Sequence, residues 1–165
     1  MNDYTLLAKR PIGSVSDKEV ERIVGFMNQL LANEFTLFTK TLNYHWNVTG
    51  PRFHSLHEFL ETQYKDILSY MDSIAERVRT LGEYPDGTIR HIHELTQIKE
   101  KGVINLSAHE MIYDLFSAHQ KIQSDLKEII QDEDMFKRDP GSEDFLVSLL
   151  QKHENSSWML KSHLE

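Results

Sequence analysis

Four long stretches of this sequence repeat apolar residues at the spacing of one face of an α-helix. The first begins at a capping-box pattern, SDKE at residues 16–19, in which a hydroxyl and a carboxylate can satisfy free backbone N–H groups. Its apolar positions are Val20, Ile23, Val24, Met27, Leu30, Leu31, Phe35, Phe38 and Leu42. The spacing predicts one long amphipathic helix that ends before Gly50-Pro51, because glycine suits a helix C-terminus and proline disfavours helix in the preceding residue.

Three further helices follow from the same periodicity. The second is predicted from about residue 53 to 81, where a Gly and then a Pro-Asp-Gly turn at residues 85–87 end it. A second capping box at residues 107–110 opens the third helix, and Ser142 is predicted to cap the fourth. The less regular residues 88–105 have room for one short helix. No strand alternation and no internal repeat stand out.

This order of elements predicts an all-α fold. Four long helices with a long crossover connection between the second and third make a ferritin-like four-helix bundle. The chain has 165 residues, of which 39% are hydrophobic, so a single domain can bury a core without disulfides or a structural metal. We therefore expect one domain over residues 1–165, with residues 1–15 as a flexible N-terminal segment.

Composition excludes several classes of function. The chain has no cysteine, which removes thiolate zinc sites, iron–sulfur clusters and cysteine nucleophiles, and which is compatible with a reducing cytosol. No targeting segment and no apolar run of membrane-spanning length is found, so a cytoplasmic protein is expected. With 18 basic and 26 acidic residues the net charge is −8, which disfavours a free-standing DNA-binding domain and favours affinity for cations.

The predicted bundle fold allows the sequence to be checked for the ligand motif of an intrachain di-iron site. Di-iron bundles of the usual kind bind metal inside one chain, with Glu-x-x-His pairs on two helices and a further Glu on each of the others. None of the nine histidines in this sequence has Glu three residues before it. An ordinary intrachain di-iron site is therefore not expected.

Another set of ligands lies on the second predicted helix. His57 and Glu61 are four residues apart and share one face, and Asp72 and Glu76 repeat that spacing further along. At 100° per residue the two pairs lie on one broad face of the helix. The offset between His57 and Asp72 is nevertheless about 22 Å along the axis, so one metal ion cannot contact both in one chain.

Two chains can close such a site. If the second helix packs antiparallel against its own copy, about a two-fold axis near the 66–67 peptide, the His57 pair of one subunit faces the Asp72 pair of the other. A two-fold interface then makes two equivalent sites. His45, at the end of the first helix, could supply a second imidazole. Two imidazoles and several carboxylates suit a ferrous ion, although zinc or manganese would also fit by ligand type.

Three motifs also resemble a known family. YHWNVTGPRFHSLHE at residues 44–58, DSIAERVRTLG at residues 72–82 and DPGSEDFLVSLLQKHENSSWML at residues 139–160 resemble the Dps family, the miniferritins, in order and across almost the whole chain. The His-Trp-Asn-Val stretch, a second His twelve residues later and Asp-x-x-Ala-Glu-Arg form a specific combination. The resemblance implies a single Dps-like ferritin domain.

The resemblance also implies a function and its residues. Members of this family form a dodecameric shell, oxidise Fe(II) at sites shared between two-fold related subunits and store the ferric mineral inside. Hydrogen peroxide is commonly the preferred oxidant over dioxygen, so iron and peroxide are removed together and DNA is protected from oxidative damage. By position the iron ligands are His45, His57, Asp72 and Glu76. Glu61 stands where the family usually has Asp, and the extra methylene could loosen the second-iron position.

Direct DNA binding is expected to be weak or absent. Members that bind DNA often carry a mobile tail rich in Lys and Arg, whereas the first sixteen residues here hold only Lys9 and Arg10. A dodecamer of this chain would carry on the order of a hundred net negative charges. We expect a cytoplasmic protein, with nucleoid association left open. The alternative function is a shell that binds nucleic acid or protein and takes up metal incidentally.

Two other groups of polar residues complete the predictions. Surface or interface roles are expected for the histidines without a partner pattern, His54, His91, His93, His109, His119, His153 and His163. An acidic cluster near the junction of the last two helices comprises Asp132, Glu133, Asp134, Asp139, Glu143 and Asp144. In the Dps family this region borders three-fold pores that admit iron, and a negative pore would concentrate Fe(II). Helix capping and solubility explain each member equally well.

Overall fold

The structure, a computed structural model, describes residues 16–102, 106–132 and 134–165. Within these ranges the chain forms five helices and no strand: α1 Asp17–Asn47, α2 Phe53–Thr80, α3 Ile89–Leu95, α4 Ala108–Ile130 and α5 Pro140–Ser162. The all-α class and the short helix in the crossover are confirmed. The predicted flexible segment at residues 1–15 lies outside the described residues. Over the described ranges, none of these helices combines the length and the apolar character that a bilayer span requires.

The four long helices form two antiparallel pairs. A short link at residues 48–52 folds α2 back on α1, and α5 folds back on α4 in the same way. The crossover between the pairs carries α3, which packs against α1. The side-chain oxygen of Asn33 in α1 anchors the end of α3, because it accepts a hydrogen bond of 2.7 Å from the backbone N–H of Gln97.

The apolar faces predicted from the sequence meet in one core. The largest side chains with less than 2% exposure are Tyr44, Ile23, Met27, Leu30, Leu37, Leu56, Leu60, Ile67, Ile74, Ile112, Leu115 and Ile122. They come from α1, α2 and α4. Toward the end of α1 the prediction is partly wrong, because Phe35, Phe38 and Leu42 are only partly buried, whereas Leu37 and Tyr44 are fully buried. Each such side chain contributes about 1.5–3 kcal/mol relative to an exposed one, so their burial is the main force that holds the bundle together.

Both predicted capping boxes are confirmed. In the second, Glu110 accepts from the backbone N–H of Ser107 at 2.8 Å, and the Ser107 hydroxyl accepts from the backbone N–H of Glu110 at 3.2 Å. Ser16 and Glu19 make the same exchange at the start of α1. These bonds fix where α1 and α4 begin.

The predicted cap of the last helix is wrong. Asp139, not Ser142, caps α5, because its carboxylate accepts from the backbone N–H of Ser142 at 3.1 Å. Pro140 explains the difference: proline suits the first position of a helix, so the cap is the residue before it. Ser142 is buried within the first turn, where its hydroxyl accepts a bond of 3.0 Å from Arg77 of α2.

A buried ionic group, which we call the Asp114 clamp, ties α1 to α4 and to the crossover. The carboxylate of Asp114 accepts a hydrogen bond of 2.6 Å from the Tyr44 hydroxyl and pairs with Lys40 at 2.7 Å. Lys40 also donates to the backbone carbonyl of Lys99 at 2.7 Å. Burial opposes ionisation of Asp114, but the bonds from Lys40 and Tyr44 outweigh it and lower the pKa of this carboxyl. The clamp fixes the end of α1 that carries His45.

Replacement of Gly50 by Ala is expected to destabilise the protein by roughly 1–2 kcal/mol. Gly50 has φ +105°, in the region that disfavours L side chains, and a Cβ there would meet no atom within 4 Å. The cost is therefore conformational, and it falls on the link that sets α2 against α1. Gly87→Ala is the matched control, because Gly87 is equally open but its φ lies outside that region.

Urea denaturation followed by far-UV circular dichroism, at one protein concentration, measures both variants. We expect Gly87→Ala to stay within about 0.5 kcal/mol of the parent protein. Equal effects of the two substitutions would contradict the conformational explanation for Gly50.

Candidate metal site

His45 and His57 lock each other in place across the link between α1 and α2. The Nδ1 atom of His45 bonds to the backbone carbonyl of His57 at 2.9 Å, and Nδ1 of His57 bonds to the carbonyl of His45 at 2.8 Å. The two rings stack with centroids 3.8 Å apart and an interplanar angle of 19°. Because His45 ends α1 and His57 lies in the first turns of α2, this exchange depends on the tight link between the helices.

The reciprocal hydrogen bonds between His45 and His57 decide which ring nitrogens can bind a metal. A carbonyl oxygen only accepts, so each Nδ1 must carry a proton. In the neutral imidazole the lone pair then lies on Nε2. Histidine ligands of metals are commonly oriented in this way, by a second hydrogen bond to a backbone carbonyl. His45 and His57 thus present neighbouring Nε2 lone pairs of the kind that bind metals.

Glu61 lies close to both imidazoles, one turn beyond His57. Its carboxylate pairs with Lys65, four residues further along α2. The hydrogen bond from Lys65 lowers the pKa of Glu61, and the charge of Lys65 and the proximity of His45 and His57 lower it further. The carboxylate is therefore ionised at neutral pH, and its partner is the Lys65 ammonium.

Asp72 and Glu76 lie elsewhere on α2. Both side chains are exposed, and neither makes an ion pair or a side-chain hydrogen bond to any residue that the structure describes. The helical rise separates Asp72 from His57 by about 22 Å. Across residues 16–102, 106–132 and 134–165, no group of three or more His, Asp or Glu side chains is arranged to hold a metal ion. A single chain brings the imidazoles of His45 and His57 together, and it leaves Asp72 and Glu76 far from them.

Apolar surface surrounds Asp72. A groove of about 300 Å³ beside it is lined by Leu31 and Phe35 of α1 and by Leu68 and Met71 of α2. Leu68 is 49% exposed in the single chain. Exposed apolar surface of this kind, next to unpaired carboxylates, is typical of a face that another protein chain covers.

The acidic cluster at the junction of α4 and α5 is partly neutralised. Its ion pairs are Asp132 with Arg22, Asp134 with Lys137 and Asp139 with Arg77. Glu133 lies outside the described residues. The capping interpretation is confirmed for Asp139, and the paired cations weaken the field that a negative pore would need.

Two histidines expected at the surface lie in the core instead. His119 and His153 are at most 1% exposed, and their Nδ1 atoms are 2.9 Å apart. His153 also bonds through Nε2 to Glu34, which is fully buried. The expectation of a surface role for these two histidines was wrong. Helical periodicity could have corrected it, since His119 follows Leu115 by four residues and precedes Ile122 by three, and both are core residues.

Comparison with known proteins agrees with this fold. The family model of the ferritin-like domain matches residues 25–165. An uncharacterized low temperature-induced protein of Nostoc is 36% identical over 151 residues, which cover 92% of this chain and 84% of that protein. DNA protection during starvation protein 2 of Bacillus anthracis is 31% identical over 147 residues, which cover 87% of this chain and 97% of that protein.

Solved structures give the same result. A Dps protein from Bacillus brevis superposes with a TM-score of 0.85 at 30% identity, covering 92% of this chain and all of that chain. DpsC from Streptomyces coelicolor superposes with a TM-score of 0.89 at 27% identity, covering 94% and 90% of the two chains. These matches define a ferritin-like protein, and within that class the chain belongs to the Dps family.

Proposed function

We propose that this protein oxidises Fe(II) in the cytoplasm, with hydrogen peroxide as the preferred oxidant, and stores the ferric product in a dodecameric shell. The oxidation site is shared between two subunits. His45, His57 and Glu61 come from one subunit, and Asp72 and Glu76 come from its two-fold partner. Removal of iron together with peroxide protects DNA from hydroxyl radical.

The reciprocal hydrogen bonds of His45 and His57 carry this proposal. They hold two neighbouring imidazoles in the tautomer that a metal requires, and a merely structural pair would not need both Nε2 atoms free. Imidazole and carboxylate together suit ferrous iron, and carboxylates also tolerate Fe(III) after oxidation.

The chain's residues have separate roles in this reaction. The imidazoles bind and orient Fe(II), and the carboxylates neutralise the charge that grows as iron is oxidised. One peroxide takes one electron from each of two ferrous ions, its O–O bond breaks, and two hydroxide equivalents form. No hydroxyl radical is released when the two electrons are delivered together.

The apolar groove supports a site shared between subunits. Asp72 lies at its edge, so a partner that covers Leu68 and Met71 would also bring its own ligands toward Asp72 and Glu76. A two-fold arrangement repeats each contact and yields two complete sites per dimer. The names of the relatives, which include DNA protection during starvation proteins, support the protective role.

The experiment is iron oxidation by the purified, size-fractionated protein. Fe(II) is added without oxygen, then peroxide or air is admitted, and ferric absorbance is followed. Rapid oxidation that keeps iron soluble with the protein, faster with peroxide than with air, is expected. A rate equal to that of buffer alone would contradict the proposal, and a rate faster with air would contradict the choice of oxidant.

Lys65→Met is expected to raise the affinity of the site for a divalent cation. The Lys65 ammonium pairs with Glu61, so a metal ion that binds this carboxylate must displace it. Because the pair is solvent-exposed, the gain is modest, about twofold to fivefold. Calorimetric titration with Zn²⁺ or anaerobic Fe(II) measures it. Lys127→Met is the matched control, because Lys127 forms a similar exposed pair with Glu154 on other helices. An equal gain in the control would attribute the effect to net charge.

Direct DNA binding is expected to be weak. The chain carries a net charge of −8, and a shell would multiply it. Plasmid mobility in an agarose gel, at moderate salt and without added divalent cations, should therefore be unchanged by the protein. A retarded plasmid under these conditions would favour the alternative, a shell that binds nucleic acid.

A further inference from the structure

A chain of three titratable side chains crosses the bundle core, well apart from the proposed metal site. Glu34 of α1 bonds to Nε2 of His153 in α5 at 2.7 Å, and Nδ1 of His153 meets Nδ1 of His119 in α4 at 2.9 Å. Glu34 and His153 are 0% exposed and His119 is 1% exposed. The second carboxylate oxygen of Glu34 is buried without a hydrogen-bond partner among the described residues.

The contact between the two imidazoles has room for one proton. At 2.9 Å one Nδ1 must donate and the other must accept. If both rings were fully protonated, two N–H groups would face each other across this distance, and the hydrogen bond would be replaced by repulsion. The arrangement therefore exists only while at least one of His119 and His153 is neutral.

We propose that Glu34, His153 and His119 form an acid-sensitive switch in the bundle core, which joins α1, α4 and α5 at neutral pH and loosens them in mild acid. At neutral pH His153 bonds to Glu34 through Nε2, and a single N–H joins the Nδ1 atoms of His153 and neutral His119. A further proton on His119 breaks this chain and leaves a buried charge without a counter-ion, which is among the most costly changes a core can suffer.

Among the residues that the structure describes, no further anion bonds to His119 or His153 to compensate for that charge. From α2, the ring of Tyr70 faces His153 at 5.8 Å between centroids, and it is a neutral phenol in this pH range. The ammonium of Lys152 in α5 lies over the Tyr70 ring, 4.8 Å from its centroid, and adds a positive charge. Glu34 is the one carboxylate bonded to the three-residue chain among the described residues.

The direction of the effect follows from burial. Burial of His119, aided by the positive charge of His153, places the pKa of His119 well below its ordinary value. The unfolded chain binds this proton near pH 6.5, whereas the folded chain does not. Stability from this site is complete above that pH and is lost as the pH falls below it. For each proton taken up on unfolding, the folding equilibrium constant falls about tenfold per pH unit.

The test compares the pH dependence of stability between variants of the full-length protein in its native assembly. His119→Asn keeps a neutral group that can bond to His153 but cannot take up the proton. Between pH 7.5 and 5.5 the folding equilibrium constant of the parent should fall about tenfold more than that of His119→Asn. His109→Asn is the matched control, because His109 is an exposed histidine of the same helix, and it should keep the dependence of the parent.

Exchange of the histidine C2 hydrogen, followed by mass spectrometry, provides an independent measurement for each histidine. His119 should titrate below His54 and His109, which are exposed. Two results would overturn the switch: a constant loss of stability in His119→Asn at every pH, or titration of His119 together with the exposed histidines. Either would show that His119 is only a packed core residue.

Discussion

Substitution of His57 by Ala is expected to lower the rate of Fe(II) oxidation by at least about 100-fold. Loss of a group that only orients a metal ligand typically costs 10- to 100-fold, and His57 would supply a ligand directly. Its ring also stacks on that of His45 and helps to orient it. The stopped-flow rate with peroxide, on protein whose assembly has been checked by size-exclusion chromatography, measures the effect. His54→Ala is the control, since His54 is an exposed histidine of the same helix, three residues before His57.

Mixed assemblies of two inactive variants can show whether the site is shared. If one dimer contains a His57→Ala subunit and an Asp72→Ala subunit, one of its two sites loses both ligands and the other keeps all of them. Random mixing makes half of the dimers mixed, so roughly a quarter of the parent activity should return. Mixtures that stay as inactive as the separate variants would show that His57 and Asp72 do not serve one site across an interface.

Asp114→Asn is expected to destabilise the protein by about 3–5 kcal/mol. The substitution leaves the Lys40 ammonium, whose side chain is 4% exposed, as a buried charge without its anion. It also weakens the hydrogen bond from Tyr44, the residue before His45. The loss therefore falls on the contact between α1 and α4 that holds the metal-binding end of α1.

Lys101→Met separates this effect from a general change of charge. Lys101 pairs with the same carboxylate at 3.1 Å, but its side chain is 57% exposed. An exposed pair contributes at most about 1 kcal/mol, so Lys101→Met should be nearly neutral. Urea denaturation at one protein concentration measures both variants. Similar losses from the two substitutions would contradict the view that the buried partner is the important one.

The helices followed from local chemistry. Periodic apolar residues and the two capping boxes predicted where α1 and α4 begin and how α2 runs, because these signals act within a few residues of the chain. Ser142 shows where a local pattern misleads. Asp and Ser are both good N-cap residues, and Pro140 should have indicated Asp139 as the cap. The hydroxyl of Ser142 instead accepts a hydrogen bond from Arg77, more than sixty positions earlier, and Arg77 also bonds to Asp139.

The five proposed ligands also show which features the sequence reveals and which depend on the tertiary structure. Their spacing and their resemblance to the Dps motifs were visible in the sequence, as was the distance that prevents one chain from closing the site. The reciprocal bonds of His45 and His57 were not visible, because they depend on how the 48–52 link sets two helix ends against each other. The pairing of Glu61 with Lys65 could have been read from the four-residue spacing.

The sequence by itself determined the helices, the capping boxes of α1 and α4, the bundle class and the residue types of the candidate site, since these depend mainly on neighbours within one or two turns. Only the tertiary structure decided that His119 and His153 lie in the core with Glu34, and that Asp114 joins Lys40 and Tyr44. The two residues in each of these contacts are separated by between 34 and 119 positions in the sequence. A polar side chain on an apolar helix face has no fixed partner until the helices pack. Helix packing therefore converts isolated titratable residues into the clamp and the core switch.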